Sequence, residues 1–199
     1  MLELFLARHG QSYGNLDFAL GPDTDLTDLG RDQATKLGRW LGDQGYDFTA
    51  LYCSTLRRAR QTAGIINRHF GLEITFDPDL RETEHPYLDD MPTRAEPLGV
   101  DPSPPFFPAY DAFRARVKRA TARILDENAS GRVLVVAHGG TLGTMLRSIL
   151  GTHALLLHTD LTAVHSLSWD DGRWNLHFVN RQEHLITSSS DTPTAPRIP

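Results

Sequence analysis

Cysteine is almost absent from this chain: Cys53 stands alone, so no intrachain disulfide can form, and the usage fits a reducing compartment. Cys53 closes an expected strand, where a free thiol reads as core packing rather than as a reactive group. Long apolar runs are missing too, and nothing approaches the ~20 residues of a membrane-spanning helix. The apolar segment at the N-terminus is short and carries Glu3 and Arg8, so no secretory leader is expected. Excess positive charge is lacking as well. A net charge of -5 argues against a general binder of nucleic acid or acidic membrane, and any positive pocket has to be local. There is no internal repeat. These absences together lead us to expect a cytoplasmic protein without nucleic-acid or membrane partners.

At 199 residues the chain suits one domain with a substantial core. Leu4-Phe5-Leu6-Ala7 is an apolar run of strand length that stops abruptly at Arg8-His9-Gly10. Val133-Leu134-Val135-Val136-Ala137 followed by His138-Gly139-Gly140 repeats the design. In parallel α/β sheets, ligands bind just beyond the C-terminal ends of strands. Two such histidines on neighbouring strands would therefore face one crevice.

Between these strands the pattern alternates. Thr27 is a candidate N-cap with Asp28 in the first turn, and Ala34, Leu37, Gly38 and Leu41 follow at helical spacing until Gly45. Leu51-Tyr52-Cys53 is a short strand. Ser54 or Thr55 then caps a helix whose stripe is Ala59, Thr62, Ala63, Ile66 and Phe70. Arg57, Arg58 and Arg60 crowd the end of that helix that prefers anions, and a bound anion would relieve the conflict. Ile74-Thr75-Phe76 is a third strand, and Phe113, Val117, Ala120 and Ile124 mark a helix that ends near Gly131. Leu142, Met145, Leu146 and Ile149 mark the helix after His138. Asp171-Gly172 signals a hairpin turn, and Trp174, Leu176 and Phe178 alternate as one face of a half-buried strand. The Ser/Thr/Pro-rich tail at 188–199 reads as separate from a domain spanning 1–187.

Five stretches carry a resemblance, in order. They are Arg8-His9-Gly10 with Asn15; Leu26-Thr27-Asp28-Leu29-Gly30-Arg31-Asp32-Gln33-Ala34; Ser54-Thr55-Leu56-Arg57-Arg58-Ala59-Arg60-Gln61-Thr62; Leu80-Arg81-Glu82; and Ala137-His138-Gly139-Gly140. Together they resemble the histidine phosphatase superfamily, the phosphoglycerate mutase-like proteins. The resemblance implies a three-layer α/β/α sandwich with a predominantly parallel sheet. It also implies that His9 is the nucleophile, that Arg58 is the arginine turned into the site, and that His184 sits near it in a structural role.

The chemistry fits those residues. Cleaving a phosphate monoester needs a nucleophile, neutralisation of the equatorial oxygens and an acid for the leaving alkoxide. His9 supplies an imidazole nitrogen, provided that its other nitrogen donates to a backbone carbonyl. Arg8, Arg58 and a protonated His138 would surround the phosphoryl group, and the cations would hold His9 neutral. Asn15 can donate an amide hydrogen bond, and the helix after Gly139-Gly140 can offer backbone N–H groups, with Gly139 as a substrate-binding candidate. Glu82 is the candidate acid and base, kept protonated by burial or by the phosphate's charge, with Glu84 as its nearby competitor. The remaining histidines form no metal-ligand set, and no metal or other cofactor is expected because arginines carry the positive charge.

Two departures from the family pattern bear on the reaction. Thr83-Glu84-His85-Pro86-Tyr87 lacks the arginine and glycine usual in the mutases, and Leu20 replaces the usual polar residue before Gly21. Both favour a phosphatase of the histidine acid type, acting on a small phosphorylated metabolite or a phosphoprotein. The competing readings are a cofactor-dependent phosphoglycerate mutase and a non-catalytic phosphate- or phosphoprotein-binding module. The proline-rich segment 83–108 is expected to pass over the site and, with Phe106-Phe107, to select the substrate. Oligomeric state is not written in the sequence.

Overall fold

The computed structural model describes residues 1–83 and 88–186. Glu84 and the 188–199 tail lie outside them. Six strands form one sheet: β1 (Leu2–Arg8), β2 (Ala50–Ser54), β3 (Ile74–Asp77), β4 (Gly131–Ala137), β5 (Val164–Asp170) and β6 (Arg173–Arg181). Their spatial order is β3-β2-β4-β1-β5-β6. The first four run parallel, and β5 and β6 are antiparallel additions. The β5–β6 hairpin turns at Asp171 and Gly172, whose φ values of 48° and 74° suit the two left-handed positions of a tight hairpin turn.

Five helices complete the frame: α1 (Tyr13–Leu16), α2 (Asp28–Asp43), α3 (Arg57–Ile66), α4 (Pro108–Glu127) and α5 (Gly139–Leu150). Successive strand residues point to opposite faces, so each face of the sheet has its own core. Leu4, Leu6, Val133 and Val135 pack with Phe113, Val117 and Ile124 of α4 and Leu142 and Met145 of α5. Phe5, Leu51, Leu134 and Val136 pack with Leu37 and Leu41 of α2 and Ala59, Ala63 and Ile66 of α3. These are the three expected layers. Among the described residues, no helix is long and apolar enough to cross a membrane.

Thr27 caps α2 as expected, its Oγ1 accepting from Gly30 N–H at 3.0 Å. Other local expectations fail, each for a tertiary reason. Neither Ser54 nor Thr55 caps α3. Leu56 holds that position without a side-chain bond, and the N–H of Arg57 is met by Asp23 Oδ1 at 2.6 Å. Phe70 falls beyond α3 and packs edge-on against Phe48, with centroids 5.0 Å apart. Helix α4 stops at Glu127, and Gly131, at φ 94°, opens β4 instead. Trp174 and Phe178 serve opposite cores, because a register shift between the Ser166–Phe178 and Leu167–Leu176 pairs inserts one residue and flips the face.

From β1 the chain moves outward through α2, β2, α3 and β3, then returns through α4 to lay β4 between β2 and β1. Helix α2 leaves β1 on one face while α5 leaves β4 on the other, which opens a crevice beyond the ends of those two strands. The loop after β1 lies directly on the first turn of α2. A Cβ at Gly30 would sit 1.9 Å from the Gln11 carbonyl oxygen, and one at Gly10 would sit 2.4 Å from that of Gly30. Backbone meets backbone at both points, so neither residue can carry a side chain without moving the strand end. Gly30→Ala is expected to cost on the order of 2–3 kcal/mol of stability, read as a lowered midpoint in urea unfolding.

Candidate active site

Parallel pairing places Arg8 opposite Ala137, so His9 and His138 leave the sheet side by side. Their ring centroids are 5.0 Å apart. Both are buried. His9 Nδ1 lies 2.7 Å from its neighbour's carbonyl, Gly10 O. A carbonyl only accepts, so the ring proton is on Nδ1 and Nε2 keeps its lone pair. Arg58 Nε donates to that Nε2 at 3.0 Å. Burial first, then the guanidinium groups of Arg58 and Arg8, hold the His9 pKa well below its ordinary value.

Arg58 comes from the first turn of α3 and also donates to the Pro22 carbonyl. The other two arginines of that turn face away: Arg57 pairs with Asp25 at 2.8 Å, and Arg60 stacks on Phe76. Arg8 donates through Nη1 to Thr159 O at 2.5 Å. Thr62, expected only as part of the buried stripe of α3, does more than pack. Its Oγ1 takes the Gly10 N–H at 3.1 Å and donates to the Arg58 carbonyl at 2.8 Å, locking the His9 loop to α3.

His138 differs from expectation. Burial, followed by His9, Arg58, Arg8 and Arg116, holds its pKa well below the ordinary value. In this structure the shift favours the neutral ring over the protonated one expected beside a phosphoryl group. Its Nε2 lies 2.8 Å from Ser54 Oγ, a hydroxyl that also receives the Leu56 N–H at 3.3 Å. Nε2 is the hydrogen-bond acceptor that the structure gives this buried hydroxyl's proton. That assigns the imidazole proton to Nδ1, which has no partner among the described residues. A neutral His138 can therefore still donate to an anion.

Glu82 is held at the opposite wall. Its Oε2 accepts from Gly140 N–H at 2.9 Å, and its Oε1 accepts from Thr83 N–H at 3.1 Å. One backbone N–H at the start of α5, that of Gly140, is thus occupied by this carboxylate. Arg116 of α4, absent from the sequence reading, donates through Nη1 to the carbonyls of Asp79 at 2.8 Å and Arg81 at 2.7 Å and so fixes the backbone leading into Glu82. Asn15 closes the near wall. Its Oδ1 accepts from both N and Oγ of Ser12 at 2.9 Å, which leaves its amide NH2 for a ligand.

Arg8, His9, Asn15, Arg58, Glu82 and Thr83 share one cleft of ≈ 720 Å³, a size that holds a small molecule. His138 and Gly139 stand behind its floor, Gly139 packed beside the Arg8 guanidinium. Of the 83–108 segment, Thr83 lines the cleft, while residues from Leu88 to Pro97 line a separate hollow with Ala154 and Leu156. Phe106 packs against His153 and Tyr110 instead of the cleft. His184 bonds through Nε2 to Thr162 Oγ1 at 3.0 Å, and the Thr162 N–H holds the His9 carbonyl at 3.2 Å, which is a supporting position. Among the described residues, no group of three or more His, Cys, Asp or Glu could hold a metal ion.

The family model of the histidine phosphatase superfamily (branch 1) matches residues 4–182, and the chain belongs to that family. It is 27% identical over 93% of its length to the uncharacterized phosphatase PhoE of Bacillus subtilis, covering 97% of that protein. It is 36% identical over 74% of its length to a 2,3-bisphosphoglycerate-dependent phosphoglycerate mutase of Methylorubrum extorquens, covering 79% of it. In three dimensions it resembles a putative alpha-ribazole-5'-P phosphatase of Escherichia coli, with a TM-score of 0.72 and 24% identity, covering 92% of this chain and 98% of that one. The fold is accordingly phosphoglycerate mutase-like.

Two outcomes follow from this geometry. Because the His9 pKa is held well below 6.5, the pH profile of kcat/KM for phosphate release should show no His9 ionisation near 6.5, once corrected for the substrate's second ionisation near ~6. Ser54→Ala should remove the acceptor arrangement at His138 and lower kcat about five- to tenfold. Ser54→Thr should restore it, measured by steady-state phosphate release.

Proposed function

We propose that this chain is a metal-independent phosphomonoester hydrolase that works through a phosphohistidine at His9. The observation that carries the reading is the Nδ1–Gly10 carbonyl bond at 2.7 Å, because it leaves Nε2 as a lone-pair nucleophile on the cleft floor. Substrate would draw the Arg58 guanidinium from Nε2 onto the phosphoryl oxygens, where Arg8 and the His138 Nδ1–H join it. The Nε2–P bond forms as the P–O bond to the alcohol breaks, and the departing oxygen takes a proton from the Glu82 carboxyl. Water then attacks phosphorus, gives a proton to the Glu82 carboxylate and releases inorganic phosphate from His9. Glu82 is held by donors from Thr83 and α5, with Arg116 fixing its loop, so it can serve both steps without rebuilding. The substrate is a small phosphorylated metabolite or a phosphoprotein.

A mutase is the direct competitor, since the 36% identical relative bears that name. A mutase would keep the phosphoryl group on His9 and return it to a second oxygen of a phosphoglycerate. A mutase reading predicts that, with a bisphosphoglycerate primer, 2- and 3-phosphoglycerate interconvert faster than phosphate appears. The hydrolase reading predicts chelator-resistant phosphate release that is abolished in His9→Ala. It further predicts that Glu82→Gln loses at least ~100-fold in kcat on alkyl phosphates while inorganic phosphate still binds. Binding of phosphate without turnover by the unaltered protein would leave the binding-module reading.

A further inference from the structure

The cleft has a second half that the phosphoryl chemistry does not use. Beyond Asn15 its wall is Gly14, Phe18, Gly21 and Pro22. Phe18 is 88% exposed, an unusual state for a phenyl ring beside a buried catalytic centre. The arm that carries it is not loose. Asp17 Oδ1 accepts the Ala19 N–H at 2.9 Å, and the Phe18 carbonyl accepts the Gly21 N–H at 3.1 Å. The Gly14 N–H donates to Thr24 Oγ1 at 2.8 Å, and a Cβ on Gly14 would sit 2.9 Å from that oxygen. The backbone that carries the ring is thus held in place, which lowers the entropic cost of presenting Phe18 to a ligand. Leu16 and Leu20 add exposed apolar surface on the same arm.

Charge points the same way. Among the described residues the cations lining the cleft are Arg8 and Arg58, and both are taken by the phosphoryl group. Asp17 and Asp23 adjoin Phe18 and Pro22 in sequence, and no further cation lines the cleft among the described residues to receive a second anionic group on the alcohol. We infer that Phe18 and Pro22 form the alcohol subsite, and that it selects phosphomonoesters whose leaving group is uncharged and aromatic or broadly apolar over the phosphoglycerates. This rests on the hydrolase reading for the placement of phosphate.

Binding can be read apart from turnover. In the His9→Ala background, calorimetric titration would compare 2-phenylethyl phosphate, glycerol 3-phosphate, 3-phosphoglycerate and phosphocholine, with and without Phe18→Ala. We expect 2-phenylethyl phosphate to bind about tenfold more tightly than glycerol 3-phosphate, with 3-phosphoglycerate weaker still. Phe18→Ala should erase that preference and Phe18→Tyr should keep it. Tighter binding of 3-phosphoglycerate, or equal weakening of every ligand by Phe18→Ala, would overturn the inference. So would tightest binding of phosphocholine, which would assign the subsite to a cation. Phosphate release by the unaltered protein from the same four compounds reports on the hydrolase reading separately: turnover with no preference for the phenyl compound defeats only the subsite, and binding preference without turnover defeats only the hydrolysis.

Discussion

The site follows from one constraint, the parallel register of β1 against β4. With Arg8 opposite Ala137, the next residue on each strand is a histidine, and the two rings meet at the sheet's C-terminal edge. A slip of one residue would turn every side chain of β1 to the other face, exchanging Leu4 and Leu6 for Phe5 in the two cores. The separate apolar layers therefore fix the register, and the register fixes the distance between His9 and His138. Catalytic geometry is here a by-product of core packing. The close backbone approach of Gly10 and Gly30 completes the arrangement by letting α2 start against the loop that leaves β1.

Electrostatics at that edge is one-sided. Arg8 and Arg58 converge on two neutral imidazoles, and Glu82 is the acidic side chain lining the same cleft among the described residues. Buried cations facing neutral groups are unfavourable unless hydrogen bonds or an anion compensate. Backbone carbonyls of Pro22 and Thr159 take up part of the guanidinium hydrogen bonding. A phosphate dianion would complete it. Burial first, and then the same crowding, shifts both histidines toward the neutral form, which suits a lone-pair nucleophile at Nε2 of one ring and a proton donor at Nδ1 of the other. Neither role needs a charged imidazole, and that is why the neutral state of His138 helps the site instead of weakening it.

How much of this was legible in the sequence depends on range. The strand–His–Gly pattern is local, so His9 and His138 stood out, and the ordered motifs brought Arg58 and Glu82 with them. Thr27 as a cap and the stripes of α2 and α5 are equally local. Ser54, Thr62 and Arg116 act through partners far along the chain, and each looks like an ordinary polar residue where it stands. Ser54 shows the conflict plainly: local propensity makes it a helix cap, but the hydroxyl is drawn to His138, 84 residues away. Phe178 escaped because a bulge shifts the pairing by one, which no alternation rule foresees. The segment after Glu82 is harder to read. Proline content marks it as irregular without saying which surface it crosses, and Phe106 joins His153 and Tyr110.

Chemistry and selectivity occupy separate stretches of chain in this cleft. The reacting groups sit on strand ends and helix starts, elements tied into both cores, and they leave almost no freedom for substitution. The arm from Tyr13 to Pro22 carries Asn15 and meets Arg58 at the Pro22 carbonyl, but it is otherwise tied by its own turn hydrogen bonds, by Thr24 and by Asp25, and its apolar side chains contribute nothing to either core cluster. Exposed Phe18 and Leu20 are therefore not explained by stability. A solvent-facing turn would be at least as stable with polar residues there, because water already reaches those positions in the unfolded chain and burial gains nothing. Their presence next to a phosphate-sized anion site is economical only if something apolar comes to rest against them. On the hydrolase reading, the constraint that makes the phosphoryl half rigid would thus leave the other half free to define which alcohol is released.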